Sequence, residues 1–184
     1  MRTVRTYYVK IIRDRVEGMS DRKNELQLTG YLPGVLGKII ELHATYYYEN
    51  WGFDVSFETQ VGKELSEFII DFRDNRDGFW VSQIDGSFVG SIAIQGPAGH
   101  DNGARLRWLI ADPAFHGQGI GSALLCRAIQ FCRDKGYKSI YLWTFEGLDT
   151  ARHLYEREGF RLSQEREVDQ WGKNIKEQMF ELTL

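Results

Sequence analysis

Apolar residues recur at three- and four-residue intervals in four stretches of the chain and gather into short β-rich runs in seven others. Val35, Leu36, Ile39, Ile40, Leu42 and His43, entered through Pro33-Gly34, fall on one face of a helix. A tyrosine run, Tyr46 to Tyr48, follows and is broken at Asn50-Trp51-Gly52. Val61, Leu65, Phe68, Ile69 and Phe72 share one side of a second helix predicted over Phe57 to Phe72. Two strands, Phe79 to Ile84 and Phe88 to Ile94, are joined across Asp85-Gly86, a strong hairpin signal. The loop Gly96 to Gly103 leads to a third strand, Leu106 to Ala111, and a glycine-rich turn then opens a long helix reaching about Lys135. Lys138 to Trp143 reads as a strand, Leu148 to Glu158 as a helix stopped by Gly159, and Phe160 to Gln164 and Ile175 to Leu182 as closing strands. With a short strand at Glu25 to Thr29, the order is β-α-α-β-β-β-α-β-α-β-β. That order specifies an α/β domain with a mixed sheet; all-antiparallel and purely doubly wound folds suit it badly.

Residues 1–24 carry a dense run of charges (Arg13, Asp14, Arg15, Glu17, Asp21, Arg22, Lys23) and are expected to form a loosely docked arm before a domain over 25–184. At 184 residues, 42% hydrophobic and 27% charged, the chain has the size and composition of one globular domain. Lys and Arg number 23 against 26 Asp and Glu, which argues against a duplex-binding protein and leaves nucleic acid out of the expected partners. Cys126 and Cys132 lie on one predicted helix, too far apart to bridge, and read as reduced thiols. No apolar run approaches the ~20 residues of a spanning helix, and Met1 to Arg5 lacks a secretory signal. A soluble, cytoplasmic protein without membrane partners is the expectation.

The chemistry concentrates in Leu109 to Ser122, where an apolar strand runs into His116-Gly117-Gln118-Gly119-Ile120-Gly121-Ser122 and an amphipathic helix leaves through Leu124, Leu125, Ala128, Ile129 and Cys132. Glycines admit unusual dihedrals and close ligand approach, and the free N–H groups of a helix start favour an anion such as a pyrophosphate. A Walker A loop requires a Lys that is absent here. The dinucleotide fingerprint requires a further glycine where Leu124 and its neighbours stand.

The turn instead resembles the acyl-coenzyme A loop of GNAT acetyltransferases, Arg/Gln-x-x-Gly-x-Gly. Ala151-Arg152-His153-Leu154-Tyr155-Glu156-Arg157-Glu158-Gly159-Phe160 is similar to the family's second signature, Ala-x-x-Leu-Tyr-x-x-x-Gly-Phe, in the right order and spacing. The resemblance covers about residues 25–184. The stretches Leu142 to Asp149 and Gln170-Trp171-Gly172 look most like acetyltransferase domains fused to MarR-type regulators, here expected to stand without the DNA-binding part.

The resemblance implies a GNAT fold: a central, mixed, mostly antiparallel sheet of six to seven strands flanked by four helices. It implies an N-acetyltransferase using acetyl-coenzyme A as cosubstrate, with direct attack by an amine in a ternary complex and no metal. Leu109, Ile110 and Ala111 would offer backbone groups to the pantetheine arm and acetyl carbonyl. His116, Gly117, Gln118, Gly119, Ile120, Gly121 and Ser122 would hold the pyrophosphate, and Thr144 and Tyr155 would also contact the cosubstrate. Tyr155 is the implied general acid, since a phenol titrating near ~10 keeps its proton at neutral pH. Arg127, Arg133 and Arg152 are candidates for the 3′-phosphate.

Three departures from the family pattern stand out. His116 replaces Arg or Gln, Leu148 replaces a frequent Asn, and Arg105 and Arg107 occupy the strand where some members carry a catalytic Glu. Water, Glu146 or His43 are left to deprotonate the amine. A pocket drawing on Tyr46, Tyr47, Trp51, Trp143, Phe145 and Trp171 would take a small primary amine or amino-acid-like acceptor in preference to a protein N-terminus or lysine. The family implies a homodimer. The alternative is a non-catalytic acetyl-coenzyme A sensor.

Overall fold

Asp85 and Gly86 both take positive φ, 50° and 77°, and turn the chain back between β2 (Gly78–Ile84) and β3 (Ser87–Gln95). That hairpin is the seed of a seven-stranded sheet in a computed structural model that describes residues 25–97 and 103–184. The charged arm expected over residues 1–24, and the middle of the loop between Gly96 and Gly103, lie outside the described residues.

The remaining elements follow in the predicted order. They are β1 (Gln27–Thr29), α1 (Val35–Trp51), α2 (Val55–Ile70), then after the hairpin β4 (Gly103–Ala111), α3 (Ile120–Asp134), β5 (Ser139–Phe145), α4 (Asp149–Arg157), β6 (Arg161–Gln170) and β7 (Lys173–Thr183). A 3-10 turn at Pro113–Phe115 separates β4 from α3. The sheet order is β1-β2-β3-β4-β5-β7-β6, and every pairing is antiparallel except β4 with β5. The sheet is therefore mixed and mostly antiparallel, with four α-helices among the described residues, as expected.

Local chemistry sets the boundaries. α1 runs through the tyrosine run that the sequence pattern left outside it, and ends only where Gly52 adopts φ 67°. Asp54 then caps α2, its carboxylate accepting from Ser56 N at 2.9 Å. β6 and β7 are much longer than their apolar runs suggested, because Trp171 and Gly172, at φ 56° and 76°, form the tip of a long hairpin. β6 is almost wholly exposed and is pinned by polar pairs, Arg166 with Glu177 and Gln178 with Glu165.

The helices cover both faces. α3 and α4 pack with Ile92, Ile94, Ala104, Leu106, Ile140, Leu142, Phe180 and Leu182 on one side. α1 and α2 pack with Phe79, Val81 and Ala93 on the other. Cys126 (exposed) and Cys132 (buried) are both free thiols on α3. Among the described residues no helix is long and apolar enough to cross a membrane.

Candidate active site

β4 and β5 run parallel for only three registered pairs, Gly103 with Ser139, Ala104 with Ile140 and Arg105 with Tyr141. Beyond them β5 stays with β7 to Phe145, whereas β4 stays with β3 to Ala111. From Leu106 onward β4 therefore has no ladder partner on its β5 side, and the sheet opens. The opening coincides with a bulge: the β3–β4 register shifts between Ser91 and Ala93, opposite Ile110 and Arg107. Within it Trp108 is held at φ 48°. For a bulky residue that left-handed conformation costs about 1–2 kcal/mol. Ser91 Oγ donates to the Trp108 carbonyl at 3.0 Å, and Trp108 packs on Phe68 and Arg107. The extra residue also switches sides. Ala104 and Leu106 face the α3 core before the bulge, and Leu109 and Ala111 pack against it afterwards.

A cavity of about 200 Å³ fills the opening and reaches both faces of the sheet. Leu106, Leu109, Leu142, Thr144, Ala151 and Tyr155 line it together with His43, Tyr47, Glu64, Arg105, Arg107 and Trp171. The middle of β4, Arg105 to Leu109, thus carries the cavity wall, and its C-terminal end leads into the glycine turn.

The turn is shaped as an anion cradle. Gly117 and Gly119 sit at φ 79° and 78°, and a Cβ added at either would meet nothing within 4 Å. Among the described residues no side chain caps α3, and the N–H groups of Ile120, Gly121 and Ser122 point out of the helix start without intrahelical acceptors. Arg157, at the end of α4, donates through Nη2 to Ser122 Oγ at 2.7 Å while also pairing with its neighbour Glu158 at 3.2 Å, and so places a guanidinium beside the turn. The donor set and the open space suit a diphosphate.

Burial controls the titratable groups on the wall. Tyr155 and Tyr47 are both enclosed, and desolvation pushes each phenol well above its ordinary value; the neighbouring phenols Tyr155 and Tyr46 add to the shift at Tyr47. His43, on α1, is 5% exposed, and desolvation lowers it from 6.5 to about 4 against an opposing hydrogen bond. That bond joins Nδ1 to the Ile39 carbonyl oxygen at 2.8 Å. A carbonyl only accepts, so Nδ1 carries the hydrogen and Nε2 of the neutral ring keeps a lone pair.

Of the residues singled out in the sequence, Leu109, Thr144 and Tyr155 line the cavity; Ile110 and Ala111 continue the same strand beyond it; His116 to Ser122 form the turn. Tyr47, Trp143, Phe145 and Trp171 also line it, but Tyr46 and Trp51 stand behind Tyr47, at 5.4 and 5.6 Å between ring centroids. Glu146 is not on the wall; it is exposed and faces Lys176 at 3.5 Å. Two proposed phosphate ligands are otherwise engaged: Arg127 stacks over Trp80, and Arg152 pairs with Glu156. Arg157 went unnoticed because nothing in the sequence shows that the end of α4 meets the start of α3. Glu64 was missed likewise, although it pairs with Arg107 from a position 43 residues away. Among the described residues no group of His, Cys, Asp and Glu is placed to hold a metal.

Residues 36–160 match the family model described as the acetyltransferase (GNAT) family. The N-acetylaspartate synthetase of Danio rerio is 39% identical over 83 residues, which are 45% of this chain and 29% of that protein. The chain thus spans under a third of that relative's length. Among solved structures, a GNAT-family acetyltransferase from Staphylococcus aureus superposes with a TM-score of 0.72 at 17% identity, covering 86% of this chain and 99% of the other. The PaiA N-acetyltransferase of Thermoplasma acidophilum, solved in complex with coenzyme A, gives 0.67 at 18% identity, covering 87% and 99%. At these identities the structural likeness is one of fold.

Proposed function

The chain belongs to the GNAT family of acetyltransferases, and on that premise we propose that it moves the acetyl group of acetyl-coenzyme A to the nitrogen of a small amine. The observation that carries the proposal is the continuity of the open β4 edge with the uncapped glycine turn, with Tyr155 on the wall of the cavity at that edge. An extended thioester substrate needs such a track: backbone groups along the strand, anion donors at its end, and a proton source where the chain of the substrate stops. The structure of the Thermoplasma relative with coenzyme A supports the choice of cosubstrate.

Acetyl-coenzyme A supplies an activated acyl carbon. Backbone groups of Leu109 to Ala111 are proposed to hold its arm, and Ile120 to Ser122, with Gly117, Gly119 and Arg157, its diphosphate. The acceptor nitrogen forms the new bond to the acyl carbon with its lone pair; the carbon–sulfur bond breaks and its electrons leave on sulfur. Tyr155 gives its phenolic proton to that sulfur. Burial raises its affinity for the proton, so the phenol holds that proton at neutral pH, and a thiolate desolvated in the same cavity would gain basicity likewise. The surplus proton on nitrogen leaves through His43 Nε2 or water, and the phenol is restored.

A cavity of about 200 Å³ favours a small acceptor, being below the ~300–1,000 Å³ typical of drug-sized ligand sites. The Danio rerio relative, named for aspartate, supports the same choice.

A second reading, binding without turnover, draws on one observation. Both carboxylates on the cavity wall are tied up, Glu64 with Arg107 and Glu177 with Arg166. Incubation with acetyl-coenzyme A and a mixture of small amines, read by mass spectrometry, decides between them. Acetylated amine is the expected product; coenzyme binding with no acetylated product from any amine rejects catalysis.

A further inference from the structure

We infer that the acceptor carries a carboxylate, as an α-amino acid does, and that Arg105 is the residue that reads it. The inference rests on acetyl transfer occurring in this cavity, and it specifies the class of molecule admitted.

Among the described residues four charged side chains line the cavity: Glu64, Arg105, Arg107 and Glu177. Arg107 has its counter-charge in Glu64 and a further acceptor in Gln95 Oε1 at 3.3 Å. Glu177 has its own in Arg166, at 2.6 Å, and also accepts from Gln170 Nε2 at 2.7 Å. Among the described residues Arg105 has neither, and its buried Nε has no hydrogen-bond partner there. A guanidinium is always charged and offers five donors, so an unmatched one on a cavity wall calls for an anion. Like charge makes the need sharper, since Arg105 acts against Arg107 from the adjacent position on the same face of β4.

Position supports the assignment. Arg105 is the last β4 residue paired with β5, so it stands at the inner end of the opening, on the face covered by α1 and α2. His43 and Tyr47 of α1 line the same space. A planar carboxylate suits the guanidinium fork, and its attached amine then extends along the cavity toward Tyr155. The ring faces that could stack on a cationic acceptor are partly taken: Arg166 covers Trp143 at 4.4 Å and Arg107 covers Trp108 at 4.0 Å. This disfavours a polyamine.

The test is calorimetric titration of the coenzyme A-saturated protein with matched pairs, L-alanine against ethylamine and L-phenylalanine against phenethylamine, extended to the remaining common L-amino acids. At least one amino acid is expected to bind about 10- to 100-fold tighter than its decarboxylated amine. Arg105→Gln should erase that preference and Arg105→Lys should keep part of it, with acetyl-coenzyme A affinity as the control for folding. Equal affinity within every pair, or a preference that survives Arg105→Gln, overturns the inference. Because binding is read apart from turnover, amino acids bound through Arg105 but never acetylated would reject the transfer reading and leave Arg105 as a carboxylate-binding residue only. Turnover of ethylamine as efficient as that of any amino acid would do the reverse.

Discussion

Ser91 Oγ donates a hydrogen bond to the carbonyl of Trp108 at 3.0 Å, tying β3 to the bulge that parts β4 from β5. Trp108 pays in backbone strain for the position it holds, and this bond is one of the contacts that keep it there. Ser91→Ala removes the donor and leaves the Trp108 carbonyl without it. The variant should lose about 1 kcal/mol of stability and show a raised KM for acetyl-coenzyme A. Urea denaturation and initial rates check both; an unaltered KM would detach the bulge from cosubstrate binding.

Replacing Tyr155 with Phe deletes the proposed proton donor while keeping the ring that packs on Phe160 and Phe180 at 5.9 and 6.2 Å. kcat is expected to fall by about 100-fold or more, with acetyl-coenzyme A affinity close to that of the parent. Steady-state kinetics beside calorimetry would expose a merely structural role, in which affinity and stability fall and kcat holds.

His43 gives a pH prediction with a definite sign. Its proton affinity drops from 6.5 to about 4 on folding, so between those values the unfolded chain holds more protons and stability rises with pH. The contribution is complete above the unfolded value and is lost as pH falls through the folded one. A drop from 6.5 to about 4 is worth about 3 kcal/mol in all. His43→Asn should flatten that part of the profile when denaturation is compared at pH 7 and pH 4.5. Identical slopes in variant and parent would show that His43 does not titrate as described.

Arg157 reaches the glycine turn through Ser122, at 2.7 Å. If it also meets the phosphates, Arg157→Gln should weaken acetyl-coenzyme A binding about tenfold at low salt, with a smaller difference as salt screens the charge. Isothermal titration at two ionic strengths reads this; an affinity equal to the parent's at both would confine Arg157 to α4–α3 packing.

The order of elements was legible because each carries its own local signal. The apolar faces of α1 and α2, the Asp85-Gly86 turn and the glycines before α3 all act over a few residues. What was hidden depends on partners distant in sequence. Trp108 has no residue-level signature for a left-handed bulge; β3 and the Phe68 contact impose it. The β6–β7 hairpin was underestimated because β6 buries little and its turn has Trp171 where Asn or Asp is usual. In the site, the two signatures marked the glycine turn and Tyr155. The charge balance was invisible, since Glu64 with Arg107 and Glu177 with Arg166 pair only once the sheet and α2 are assembled. Arg105 stands out in the sequence only as a departure on the strand where some members carry a catalytic Glu, and its lack of a counter-charge emerges once those pairs are known.

The central claim is that acetyl-coenzyme A seats along the open edge of β4 and is discharged onto an amine. Calorimetric titration of the purified protein with acetyl-coenzyme A, followed by thiol release against a panel of amines in the same preparation, tests it most directly. The account predicts one-to-one binding and thiol release that requires an amine. Absence of binding would contradict it and return the Gly117 to Gly121 turn to the status of a structural bend between β4 and α3.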